Sequence, residues 1–183
     1  MSIKDTNAGY SWLTIALHWI VAAGMITLFV IGVSADEAAT EEREVELLML
    51  HVSIAMSLYV IFWARIIWRL ANVRPALAPQ APLLQWLAYW VPLVLLAALA
   101  VQLVSGPITV LSTGNPIQVF GVTVVPAIMD RSETVHEIAE TFHVAGATVI
   151  LVAFGLHVLG VLKHLLINRD GTFRKMLVPG NRD

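Results

Sequence analysis

The chain has 183 residues, 58% of them hydrophobic and 13% charged, with a mean hydropathy of +0.78. These values exclude an ordinary soluble domain, whose apolar share runs roughly 45 to 50%. The formal net charge is −2 and there is no cysteine, which removes disulfides, iron–sulfur clusters and thiolate zinc sites together and leaves His, Met and carboxylates as metal donors.

A bilayer-crossing helix needs about 20 mostly apolar residues, and four stretches qualify. The first, about residues 11–33, carries Trp12, Trp19 and, about two turns in, His18. Its end, Val33-Ser34-Ala35, imitates a signal-peptide cleavage site. The apolar run of about 20 residues exceeds a signal sequence's 7 to 15 and Lys4 is its only basic flank, so it reads as a retained helix. An acidic stretch, DEAATEEREVE, leads to the second span, about 47–70. That span, LLMLHVSIAMSLYVIFWARIIWRL, holds His51 near its start and Arg65 and Arg69 near its end. The proline-stiffened connection VRPALAPQAP precedes the third, about 82–111, where Pro92 predicts a kink that neighbouring helices can tolerate. Next comes an irregular segment whose apolar patch, VFGVTVVP, is too short to span and is expected to fold back over the outer mouth. The fourth span, about 134–167, carries His136, His143, His157 and His164. Without repeats or a domain linker, the expectation is one all-α domain over residues 1–183, an integral membrane four-helix bundle.

Loop charges orient it. Nine of the eleven Lys and Arg, including Arg182, fall on the side of the two termini; Arg43 and Arg131 fall on the other. Positive-inside bias places both termini in the cytoplasm. Ten of the thirteen acids lie outside, so the cytoplasmic side carries about +6 and the exterior about −8.

Depth then sorts the histidines. His51 and His143 lie toward the outer face, His18 and His157 toward the inner. His143 and His157 are fourteen residues apart, which is about 40° short of four turns, so they share one helix face about 21 Å apart. A lone intramembrane histidine serves equally well as a hydrogen-bonded core residue, and four could also line a metal or proton pathway. Two depth-matched pairs on facing helices point instead to planar groups that each need two axial bases, namely two haem b, each ligated by two imidazoles. No carboxylate shares the depth of either pair, which disfavours a bare cation. Met25, Met49 and Met56 are alternative axial donors that two complete His pairs leave for packing. His136 reads as a headgroup-level surface residue. His164 reads equally as a solvated or propionate-contacting residue and as a quinone contact.

ALHWIVAAG, LMLHVSIAMSLYVIFWARIIWRL, GNPIQVFGVTVVP and HVAGATVILVAFGLHVLGVLKH together resemble the bacterial cytochrome b561 family over roughly residues 10–180. The resemblance implies a four-helix di-haem cytochrome of the bacterial inner membrane, with His18, His51, His143 and His157 as haem-iron ligands and ubiquinone as diffusible redox partner. For stand-alone members it also implies superoxide oxidation at the outer face. Related chains are haem-bearing anchor subunits of hydrogenases and formate dehydrogenases, and the fold alone does not separate these roles. The chain's shortness favours the stand-alone enzyme. Its acidic exterior repels an anion such as superoxide and equally suits a basic electron-donor protein. Partners are thus the bilayer, a quinone, and superoxide or a periplasmic donor protein, with no nucleic acid. Arg65 and Arg69 are candidate propionate partners or orientation signals, and His164, Lys163, Trp12 and Trp19 a candidate quinone site.

Overall fold

The computed structural model describes residues 3–180, so Arg182 and Asp183 of the charge count lie outside the described residues. Four helices are long and apolar enough to cross a membrane: α1 Trp12–Asp36, α2 Glu41–Ala71, α3 Pro82–Leu111, and α4 Glu133–Leu162 with its continuation to Asn168.

Capping chemistry sets the helix ends. Ser11 Oγ accepts the Thr14 N–H at 3.2 Å and so satisfies one of the unpaired amides that open α1. α2 begins two turns ahead of its apolar run, because Thr40 Oγ1 caps the Arg43 N–H and Glu41, Glu42 and Glu44 occupy the first turn, where the helix dipole favours negative charge. Hydropathy locates the span, whereas capping locates the helix. α3 opens with Pro82, whose missing N–H costs nothing there, and runs unbroken through Pro92 and a second interior proline, Pro107. α4 ends differently from expectation: it gives way at Lys163 to a π-helical turn, Lys163–Asn168, closed by Arg169 in the left-handed region at φ 51°.

α1 packs along α2 and α3 along α4, while contact between the two pairs is sparse. Val21, Phe62, Ile66, Leu99 and Leu103 form the buried cluster that joins α1, α2 and α3. Outward faces are apolar, with Val60 and Ile167 each 76% exposed, as a bundle solvated by lipid requires. Gly24 lets α1 approach α2: a Cβ there would lie 2.7 Å from Leu58 Cδ1 and 3.0 Å from Phe62 Cζ. Gly24→Ala should therefore destabilise the chain by about 1–3 kcal/mol, through overpacking against the buried Phe62, read as a lower midpoint in detergent unfolding.

The segment between α3 and α4 is more ordered than expected. Strands β1 Ile117–Val119 and β2 Val122–Val125 form an antiparallel hairpin with a register shift between Ile117 and Gln118. Both turn residues, Phe120 and Gly121, have positive φ, 48° and 85°, the conformation that tight hairpin turns demand. Ile117 is buried, β1 packs on α2, and the Phe120 N–H donates to Ser53 Oγ at 3.0 Å. The hairpin thus folds back against the helix that carries His51.

At the opposite end of the bundle the segments flanking the helices meet, the Gly180 N–H donating to the Tyr10 carbonyl at 3.1 Å. Asp5 is buried; its Oδ1 accepts from the Ser11 N–H at 2.8 Å and the Thr14 hydroxyl at 2.7 Å, and Trp68 Nε1 of α2 donates to that hydroxyl at 2.8 Å. The segment before α1 is thereby pinned to the end of α2.

Candidate haem-binding site

Each of the two helix pairs contributes one imidazole at each of two depths. At the hairpin end, His51 of α2 faces His143 of α4 with ring centroids 6.2 Å apart and planes inclined by 73°. At the terminal end, His18 of α1 faces His157 of α4, also at 6.2 Å, inclined by 60°. The depth-matched pairs expected from the sequence are the ones brought together.

Small residues make room for the rings. A Cβ on Gly32 of α1 would lie 3.6 Å from His51 Nδ1, and one on Gly106 of α3 only 3.3 Å from His143 Cε1, so each imidazole lies against the backbone of the neighbouring helix. The Leu28 carbonyl flanks His51, yet His51 Nδ1 makes no hydrogen bond of acceptable geometry. His143 Nδ1 lies 3.2 Å from Ser105 Oγ.

The fit to a bis-imidazole group can be tested by distance. An imidazole whose nitrogen lies about 2 Å from a metal has its centroid roughly 3 Å from that metal, so two rings on opposite sides stand about 6 Å apart. Both pairs meet this value. Among the described residues no three His, Asp or Glu gather into a metal-binding cluster. Two imidazoles suit an ion whose other donors come from a macrocycle, as in haem.

Beside the inner pair lies a buried cationic group. Arg65 is half-buried and close enough to His18 to act on it electrostatically, and its Nη1 is buried without a hydrogen-bond partner. Arg69 lies one turn further along α2, and Asp5 Oδ2, also buried and unpartnered, belongs to the same charged neighbourhood. A propionate would satisfy the free guanidinium nitrogen.

The remaining candidates sit at the terminal end. His164, in the π-helical turn, pairs Nδ1 with Asp170 Oδ2 at 2.6 Å. Burial opposes ionisation of Asp170, but hydrogen bonds from Thr172, His164 and Asn168 outweigh it and hold the carboxyl far below its usual range. A cavity of about 260 Å³ beside His164 is lined also by Leu165, Arg169, Phe173, Arg174 and Leu177. Lys163 turns its amine to Asn168 Oδ1 at 3.1 Å. Trp19 stands edge-on to His18 at 5.3 Å and donates its indole N–H to the Met176 carbonyl at 2.8 Å, joining α1 to the segment that lines the cavity. Trp12, two turns earlier, is exposed.

His136 is more enclosed than a surface residue. It is half-buried, and its Nδ1 lies 3.1 Å from both Ser112 Oγ and the Thr109 carbonyl, tying the start of α4 to the end of α3. Depth gives it the level of the headgroups, and Thr109 with the cap residue Ser112 holds it against the end of α3. Sequence reasoning also missed Ser105, Gly32, Gly106 and Asp5. For the two glycines, small residues at helix crossings were the available signal.

A four-helix membrane bundle with stacked imidazole pairs defines the class of membrane-embedded electron-transfer cytochromes. The family model described as prokaryotic cytochrome b561 matches residues 9–179, and the chain belongs to that family. It is 27% identical over 188 residues to the Escherichia coli K12 protein named cytochrome b561 homolog 2, covering 100% of this chain and 98% of that one. It is 26% identical over 175 residues to the Yersinia pestis protein named probable superoxide oxidase CybB, covering 92% and 95%. The chain is a multi-pass protein of the bacterial inner membrane, of a haem b-binding family that transfers electrons within the membrane.

Proposed function

We propose that the chain is a single-domain di-haem b oxidoreductase that takes single electrons from superoxide at the periplasmic face and delivers them to ubiquinone at the cytoplasmic one. Two imidazole pairs, stacked at different depths between two helix pairs, carry this reading. In it His51 and His143 hold the outer haem, His18 and His157 the inner, and both termini face the cytoplasm, in keeping with the charge asymmetry. Each bound haem supplies a one-electron carrier. The likeness to a protein named probable superoxide oxidase favours superoxide as donor. Two superoxide anions each lose one electron to give two dioxygen molecules, and one ubiquinone gains both electrons and two protons to give ubiquinol.

The protein's own groups supply the rest. The helices exclude water around the imidazoles, Arg65 with Arg69 neutralises propionate charge, and His164, oriented by the ionised Asp170, hands a proton to quinone from the cytoplasmic boundary. Lys163, Trp12 and Trp19 complete the surroundings of that site in this reading. The decisive experiment is reconstitution of the purified chain alone with ubiquinone. Ubiquinol formation at one per two superoxide consumed supports the reading; inactivity, together with a stoichiometric dehydrogenase co-purifying from native membranes, makes the chain an anchor subunit.

Arg65 gives a further check. Its positive charge favours the reduced form of a nearby haem, so Arg65→Gln should lower the reduction potential of the inner haem and leave the outer one unchanged, as read by redox titration. An unchanged inner potential would leave Arg65 as an orientation residue.

A further inference from the structure

Of the four paired imidazoles, only His143 has a side-chain hydrogen-bond partner for its ring among the described residues, and that partner comes from α3, the one helix that offers no imidazole to either pair. Ser105 is buried, 5% exposed. Its Oγ lies 2.8 Å from the Val101 carbonyl and 3.2 Å from His143 Nδ1. A carbonyl can only accept, so the single hydroxyl proton goes to Val101 and Oγ turns a lone pair toward the ring. The hydrogen-bond network therefore assigns the proton of the neutral imidazole to Nδ1 and leaves Nε2 with a free lone pair.

Gly106 completes this seat. With a Cβ at that position only 3.3 Å from His143 Cε1 and 3.5 Å from Nδ1, a side chain there would require the ring to shift by a few tenths of an ångström. His51 is held otherwise: it packs against Gly32, but its Nδ1 has no hydrogen-bond partner.

We infer that Ser105 is a positioning residue for the outer haem: it fixes His143 in the ligating tautomer and raises its basicity, so that α3 tunes the outer site without supplying a ligand. The inference rests on the reading that His143 is an axial ligand. A ring N–H that donates makes the imidazole a stronger electron donor, which stabilises oxidised iron and lowers the potential. Removing the acceptor reverses both effects.

The test uses the full-length chain, with redox titration of both haems and low-temperature electron paramagnetic resonance of the oxidised protein. In Ser105→Ala two haems should remain. The reduced-to-oxidised ratio of the outer one at fixed potential should rise about tenfold, which is about 59 mV for a one-electron couple, with shifted g-values. The inner haem should not move, and Ser105→Thr, which keeps the hydroxyl, should stay near the parent. Unchanged outer potential and g-values in a two-haem Ser105→Ala protein would overturn the inference, as would equal shifts at both haems or an Ala-like Thr variant. Failure of the underlying reading shows separately, as retention of two haems in His143→Ala.

Discussion

In His143→Ala, haem content should fall from two per chain to about one, and the loss should be of the outer haem. His51→Ala should do the same, while His18→Ala and His157→Ala should each remove the inner haem instead. The geometry makes the expectation specific: each pair is separated by 6.2 Å between centroids, and the two pairs share only α4. Removing one imidazole leaves its partner without a ring across the cleft, and a single axial bond holds haem less well than two. His136 cannot substitute, because it lies two turns before His143 on α4, about 10 Å away in depth from the ring that faces His51. The pyridine haemochrome assay counts haem, and resolved redox titration identifies which one remains. Two haems in His143→Ala would dismantle the pairing, and loss of both in each variant would mean that the two sites fold as one unit.

The histidine pairs were legible in the sequence for a physical reason. Within a bilayer, helix rise converts residue number into depth, so the spacing of His143 and His157 and the start points of the spans fix which rings can meet. Helix faces follow from the same arithmetic. What the sequence withheld depends on contacts between segments far apart in the chain. Ser105 reaches His143 across 38 residues, and Trp19 reaches the Met176 carbonyl across 157. No local pattern marks either serine or indole as a partner. The hairpin leaves no signal in the sequence because its strands are three and four residues long, too short for an alternating pattern to stand out. Hydropathy alone puts the start of α2 too late, although Thr40 followed by Glu41, Glu42 and Glu44 is a helix-start signal written in the sequence. The π-helical turn at Lys163 has no such signal. It adds a residue to the turn, and it decides where His164 points.

That turn bears on the second large effect, at the quinone. In His164→Ala both haems should still bind and still be reduced by an external one-electron donor, but reoxidation by added ubiquinone should slow at least about tenfold, the lower end of what a lost general acid removes. Full reduction of a quinone takes two protons with its two electrons, so a site that supplies only electrons stalls. His164 is suited to deliver them: Asp170 Oδ2 holds its Nδ1 at 2.6 Å, the imidazole borders the 260 Å³ cavity, and Arg169 and Arg174 at that cavity favour the reduced, anionic forms of a quinone. Asp170 stays ionised in this arrangement. Because its folded pKa is depressed, the contact contributes fully above the ordinary carboxylate value of 3.8 and persists as the pH falls through it, failing only in stronger acid. Between neutrality and pH 5 Asp170 therefore keeps its charge, and any change of reoxidation rate in that window belongs to groups other than Asp170. Asp170→Asn should accordingly slow reoxidation by less than His164→Ala, since it disturbs the ring's orientation but keeps its proton. Stopped-flow absorbance of the haem bands measures both variants directly. Parent-like reoxidation in His164→Ala would move the quinone site away from the terminal end, to the outer pair beside the β1–β2 hairpin, where Phe120 is latched to Ser53.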